Sequence, residues 1–198
     1  MRDKAVTREK IMRAAETVFA AKGYHETLME EIGQTSRTSK GAIYFHFPSK
    51  EQLFFALMDR LAQALRREVE RELTRRQGAL DKVQGALEAV FKSLGRHRRL
   101  AKILLLQGYG LGPAFEAKRL EIYQQFASLI QQHLTEAVRE GSIPALDAEV
   151  TAYAWLGAIN ELIVRWLLTG APDPWERALP ALSRLFLRSI GAPAPSER

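Results

Sequence analysis

The sequence lacks cysteine altogether, so disulfide bonds and thiolate metal ligands are excluded. It also lacks long apolar runs, because no stretch approaches the roughly 20 consecutive apolar residues that span a bilayer. The first four residues, MRDK, do not form the apolar core of a secretory signal. We therefore predict a cytoplasmic protein without membrane contact, whose stability rests on an ordinary hydrophobic core.

Signatures of catalysis are also missing. The segment 33–40 lacks the second glycine of a phosphate-binding loop, and the glycine-rich segment 108–113 follows no predicted strand. The four histidines, at positions 25, 46, 97 and 133, do not have the spacing of metal ligands. We predict no catalytic residue, no metal site and no enzymatic activity.

Positive charge is in excess, since the 198 residues carry a net charge of +6. A basic balance favours a polyanionic partner. Four of the basic residues lie within positions 2–10: Arg2, Lys4, Arg8 and Lys10. This segment is consistent either with an arm that follows phosphates or enters a minor groove, or with an unstructured tail.

Apolar residues recur at helical spacing along most of the chain, which predicts an all-α protein. A first helix has an apolar stripe from Ile11 to Phe19 and ends at Gly23. Further helices are predicted over 49–76, 79–95, 100–107, 113–140, 147–169 and from Pro174 onward.

Two short helices are predicted between residues 27 and 47. Thr27 and Glu30 have the spacing of a capping box, so we expect the first helix to begin near Leu28. The second helix opens at Thr38 or Ser39, after a polar run that favours a turn.

The second short helix has two unlike faces. Ile43 and Phe47 share the face that is expected to be buried, which leaves a cationic and aromatic face with a small-residue centre. Such a face suits the major groove of DNA. Lys50 follows in the first turn of the next helix, where the helix dipole disfavours a cation, so we expect it to face a phosphate.

These stretches resemble the DNA-binding domain of the TetR family of bacterial transcription regulators. The resemblance covers REKIMRAAETVFAAKGY (8–24), Thr27 with Glu31-Ile32 and, above all, SKGAIYFHFPSKEQLF (39–54). Two positions depart from the family pattern: Arg37 replaces the usual turn glycine, and Leu28 replaces a small hydroxyl residue. A left-handed Arg37 would be strained.

The resemblance implies a homodimeric repressor of a palindromic operator that needs no cofactor. It implies a three-helix head at 1–48 and a helical body at 49–198 that binds an effector and dimerises. Lys40, Gly41 and Ala42 are expected to meet base edges, and Thr27, Tyr44, His46 and Lys50 to hold phosphates. Thr38, Ser39 and Phe45 complete the predicted interface.

The predicted effector site combines apolar and aromatic side chains with two polar ones: Phe91, Leu94, Leu104, Tyr109, Tyr123, Phe126, Trp155, Asn160 and Glu161. The aromatic residues are equally compatible with an ordinary core. Asn160 and Glu161 are expected to serve a ligand, a neighbouring arginine or the dimer partner.

Residues 157–167, GAINELIVRWL, are similar to TetR-family regulators that sense fatty acyl-CoA. The cluster Arg96, Arg98 and Arg99 is then either a site for the CoA phosphates or a solvated loop. An aromatic or cationic drug-like effector is the alternative, and a helical lipid-binding or interaction protein is a further one.

The helix at 147–169 is apolar nearly all round, so one chain cannot easily bury it. Together with the last helix it predicts a four-helix interface between two copies. We expect Leu182 and Phe186 to be exposed and to face the second copy.

Overall fold

The structure is a computed structural model that describes residues 2–107 and 110–191, and their side chains apart from those of residues 2, 3, 80 and 107. All regular secondary structure in these residues is helical, which confirms the predicted all-α class. The helices are α1 (Arg2–Glu26), α2 (Met29–Ser36), α3 (Lys40–His46), α4 (Lys50–Arg75), α5 (Ala79–Arg96), α6 (Arg98–Lys102), α7 (Pro113–Arg139), α8 (Ala148–Thr169) and α9 (Leu179–Ser189). A π-helical segment at Ile103–Gln107 follows α6, and another at Pro174–Ala178 precedes α9.

The chain divides into two compact units. The first unit comprises Met1–Ala62 and His97–Lys118, and the second comprises Gln63–Arg96 and Arg119–Arg198. Each unit therefore draws on two separate segments of the chain.

The core of the first unit is rich in aromatic rings. Phe19 and Phe54 are fully buried, and their ring centroids lie 5.3 Å apart at a nearly perpendicular angle. Phe115, from the first turn of α7, contacts the rings of Tyr24, Phe54 and Phe55 at 4.9 to 5.6 Å between centroids. Offset and edge-on ring pairs of this kind add stability beyond the apolar area that they bury.

The start of α2 differs from the prediction by one residue. Its N-cap is Leu28, whose backbone N–H donates to Oε2 of Glu31 over 3.2 Å. The predicted capping box of Thr27 and Glu30 is therefore wrong. Ser39 does cap α3, since its Oγ accepts from the Ala42 N–H over 3.2 Å.

The second unit is held by helix packing that includes α5 against α9. Trp155 of α8 stacks flat on Phe186 of α9, with 4.4 Å between ring centroids. Leu182 and Phe186 are only 3% and 2% exposed. The expectation that these two residues face solvent or a second copy is wrong, because both pack within their own chain.

Candidate nucleic-acid interface

Residues 29–46 form a helix-turn-helix. The turn is tight because Gly33 has no side chain: a Cβ there would lie 3.1 Å from Cδ1 of Ile43. Arg37 adopts the left-handed conformation that its position required, with φ 52° and ψ 43°. The Thr38 N–H then donates to the Gly33 carbonyl over 3.0 Å and closes the turn.

The two faces of α3 are separated as predicted. Ile43 and Phe47 are 1% and 3% exposed, whereas Phe45 is 65% exposed. A Cβ at Gly41 would meet no atom within 4 Å, so the backbone is open to close approach at that point. The remaining predicted contact residues of this segment are exposed or half-buried: Thr38, Ser39, Lys40, Ala42, Tyr44 and His46.

Thr27 and Lys50 have structural roles that contradict the predicted phosphate contacts. Thr27 is fully buried, and its hydroxyl donates to the Gly23 carbonyl over 2.6 Å. Lys50 Nζ donates to the carbonyl oxygens of Tyr24, His25 and Thr27 at 2.8, 3.0 and 2.9 Å. An ammonium group has three N–H donors, so all of them are occupied. We therefore remove both residues from the interface.

Lys40 is paired with a carboxylate on the preceding helix. Its Nζ lies 3.2 Å from Oε1 of Glu30, and both side chains are exposed. The pKa of Glu30 is lowered, chiefly by a hydrogen bond from its own backbone amide and then by Lys40. This pair places a negative charge beside the first residue of α3.

Sequence reasoning missed the way in which the N-terminal basic residues join α3. The segment 2–10 is neither an arm nor an unstructured tail, because it forms the first turns of α1. Lys4 Nζ lies 4.4 Å from the ring centroid of Phe45, and the guanidinium carbon of Arg8 lies 5.0 Å from that of Phe47. No local sequence pattern predicts these contacts, because about forty residues separate the partners in the sequence.

The predicted effector residues occupy different environments. In the second unit Phe91 and Leu94 are buried, Tyr123, Phe126, Trp155 and Asn160 are half-buried, and Glu161 is exposed. Leu104 is buried in the first unit, and Tyr109 lies outside the described residues.

Trp155 and Glu161 have surroundings that favour other roles. The indole N–H of Trp155 donates to Oγ of Ser189 over 3.0 Å, and its ring stacks on Phe186. Trp155 is therefore held as packing between α8 and α9. Glu161 lies on the exposed stripe of α8, which favours the dimer-partner alternative over a ligand contact.

The basic cluster is exposed, as either interpretation of it requires. Arg96 Nη1 lies 3.5 Å from Oε1 of Glu68, and Arg98 and Arg99 form the first turn of α6. A surface ion pair of this length contributes under about 1 kcal/mol, so a bound phosphate could displace it.

A helix-turn-helix whose second helix exposes cationic and aromatic side chains defines the chain as a DNA-binding protein. The chain belongs to the TetR family: residues 11–57 match "Bacterial regulatory proteins, tetR family", and residues 76–172 match "Tetracyclin repressor-like, C-terminal domain". It is a transcriptional repressor, and its relatives are regulators rather than enzymes.

Two relatives and one solved structure illustrate the similarity. The HTH-type transcriptional regulator TtgR of Pseudomonas putida is 34% identical over 179 residues, which cover 82% of this chain and 80% of that protein. The fatty acid metabolism regulator protein of Bacillus subtilis is 25% identical over 170 residues, covering 85% and 87%. FadR from Bacillus subtilis, solved in complex with stearoyl-CoA, has the same fold, with a TM-score of 0.77, 23% identity and coverage of 96% and 99%.

None of the described helices is both long enough and apolar enough to cross a membrane.

Proposed function

We propose that two copies of this chain bind a palindromic operator, each through the exposed face of α3. Lys40, Gly41 and Ala42 meet base edges, and Tyr44 and His46 contact phosphates, while Thr38, Ser39 and Phe45 complete the surface. Residues 1–48 act as the DNA-reading head, and residues 49–198 as the body that binds an effector and dimerises. The openness of α3 at Gly41 supports this role, because a base edge can approach the backbone there.

The effector that we propose is a long-chain acyl-CoA. The observation that carries this proposal is the similarity, over 85% of the chain, to a fatty acid metabolism regulator. The fold shared with the FadR–stearoyl-CoA complex is compatible with it. The acyl chain would lie beside apolar side chains of the second unit such as Phe91, Leu94 and Phe126, and Arg96 of the same unit would meet the phosphates.

Release follows from linkage between the two ligands. Heads that occupy successive major grooves must sit about 34–36 Å apart. An effector weakens operator binding only if it binds another spacing more tightly, and by at least the factor that the operator loses.

A titration of the repressor–operator complex tests the effector. Each buried methylene contributes about 0.8 kcal/mol, so a chain longer by two methylenes should release the operator at an effector concentration up to about 15-fold lower. Free CoA should release nothing. Arg96→Gln should weaken the response to acyl-CoA but not to the free fatty acid, which lacks the phosphates. Release by a cationic dye alone would favour an aromatic or cationic effector instead.

Selection on random DNA tests the role assigned to Lys40. Lys40→Ala should select a different motif from the parent, because Lys40 is exposed at the start of α3 and reaches base edges. Lys22→Ala, which removes the same charge from α1, should select the parental motif. An unchanged motif for Lys40→Ala would show that Lys40 does not read bases.

A further inference from the structure

Three lysines, Lys4, Lys40 and Lys50, lie on or beside α3, and they differ in which group compensates their positive charge. Lys50 gives all of its donors to carbonyl oxygens, and Lys40 is paired with the carboxylate of Glu30. Lys4 instead lies over the ring of Phe45, with 4.4 Å between Nζ and the ring centroid. An aromatic ring carries no formal charge, so this contact orients the ammonium group without neutralising it.

The ring that holds Lys4 is itself unusual. Phe45 is 65% exposed and sits on the face of α3 assigned to DNA, where its ring meets that of His46 edge-on at 5.3 Å. A large apolar side chain in this position is suited to contact with a thymine methyl group in the major groove. Lys4, whose ammonium group lies over the Phe45 ring, is therefore placed at the border of the same groove.

A second contact of the same kind fixes the direction of α1. Arg8 stands one helical turn after Lys4, and its guanidinium group lies over the ring of Phe47, which is buried. Residues four apart share a helix face, so Lys4 and Arg8 both point toward α3. Arg8 covers the core, whereas Lys4 covers an exposed ring.

We infer that Lys4 is a DNA-contacting residue, which binds an operator phosphate beside the groove that α3 occupies while Phe45 contacts the bases. The first turn of α1 thereby becomes part of the operator interface. The inference rests on the proposed function, because it assumes that the exposed face of α3 meets DNA.

The salt dependence of operator binding tests this inference, with Lys10 as a matched control. Lys10→Ala removes the same charge from the same helix. Lys10 lies on another face of α1, where it lines a surface groove together with Ala5, Val6, Glu9 and Arg13. The probe is an operator fragment that the parent chain selects from random DNA. Each lost phosphate contact lowers the magnitude of the slope of log K against log salt by about 0.9.

Lys4→Ala should lower the magnitude of that slope by about 1.8 for two heads, whereas Lys10→Ala should leave it within a few tenths of the parent value. In a Phe45→Leu background the ring is gone, and the effect of Lys4→Ala should shrink because Lys4 is no longer held at the groove. Circular dichroism melting curves of all variants should match the parent, since both lysines are exposed. Equal slopes for Lys4→Ala and Lys10→Ala would overturn this inference alone, while a parent chain that selects no operator would overturn the proposed function together with it.

Discussion

Lys50 shows how a cation at the start of one helix can serve the end of another. The last carbonyls of a helix lack intrahelical partners and carry partial negative charge. Lys50 binds three carbonyl oxygens of residues 24–27, where α1 ends and α2 has not yet begun. The unfavourable position in α4 is thus offset by a favourable one beside α1.

Lys50→Met should therefore lower stability rather than remove a DNA contact. Hydrogen bonds from a charged donor contribute about 1.5–3 kcal/mol, so we expect a loss of about 2 kcal/mol in the free energy of unfolding measured in urea. Lys40→Met, which breaks only an exposed ion pair, should lower the free energy of unfolding much less than Lys50→Met does. A parental unfolding midpoint combined with a smaller salt slope would restore the phosphate role of Lys50.

Arg37 carries backbone strain in the helix-turn-helix. Left-handed geometry costs an ordinary residue about 1–2 kcal/mol, whereas glycine adopts it freely. We expect Arg37→Gly to be about 1 kcal/mol more stable than Arg37→Ala, because both remove the side chain and only glycine relieves the strain. Equal melting temperatures for the two variants would mean that the strain is absorbed elsewhere.

At the scale of elements, α4 and α5 are joined by a guanidinium group that occupies the space beside a glycine. Arg76 pairs with Glu72 at 3.0 Å and with Glu88 at 2.6 Å. A Cβ at Gly85 would lie 2.5 Å from Nε of Arg76. Because Gly85 of α5 has no side chain, Arg76 at the end of α4 can reach Glu88 of α5.

Two glycine substitutions in α5 separate helix propensity from this packing. Gly95 has no atom within 4 Å of a Cβ, so Gly95→Ala should raise stability by about 0.5–1 kcal/mol through propensity alone. Gly85→Ala should forfeit that gain, because it displaces Arg76 from Glu88. Thermal unfolding that raised both midpoints equally would show that Arg76 moves aside without cost.

His133 on α7 makes stability depend on pH. Burial lowers its pKa and Lys82 adds to the effect, while Glu136 and Glu70 oppose it. The unfolded chain therefore binds more protons in the window just below the ordinary histidine pKa of about 6.5. The stability that the folded chain gains from a neutral His133 is therefore fully present above that pH and is lost as the pH falls.

His133→Gln should reduce the loss of stability between about pH 7 and pH 5. Urea unfolding across this range measures the change, with His25→Gln as the control because that histidine is exposed and lies in the first unit. Identical pH dependence of His133→Gln and the parent would contradict the role of His133.

At the scale of the whole molecule, α8 and α9 expose apolar side chains that a single chain leaves in water. Val150, Tyr153 and Leu168 on α8 are 63%, 47% and 62% exposed, and Leu185 on α9 is 56% exposed. Gly157, on the same stripe of α8, allows another helix to come close. These features support the proposed contact with a second copy.

Leu185→Glu should therefore yield a folded monomer that binds the operator much more weakly, because two linked heads no longer act together. Leu182→Glu, only three residues away, should instead unfold the second unit, since Leu182 is buried. Sedimentation and circular dichroism distinguish the two outcomes. A parent chain that sediments as a monomer at micromolar concentration would refute the interface.

The sequence by itself determined the features that depend on neighbours three or four residues apart. Helical periodicity predicted the helices. The start of α3 at Thr38 or Ser39 and the buried face of Ile43 and Phe47 were also predicted from neighbouring residues. The left-handed turn at Arg37 followed from the family pattern. Each of these is local, because a cap, a stripe or a turn is completed within one or two helical turns.

The tertiary structure decided which face of each helix is buried and which distant residues its side chains contact. Lys50 binds carbonyls more than twenty residues away, and Lys4 meets a ring about forty residues away, so no local pattern contains either contact. An apolar stripe wider than one helix face likewise cannot show which side its own chain covers. Leu182 and Leu185 carry the same side chain, and only the packing of α9 buries the first and exposes the second.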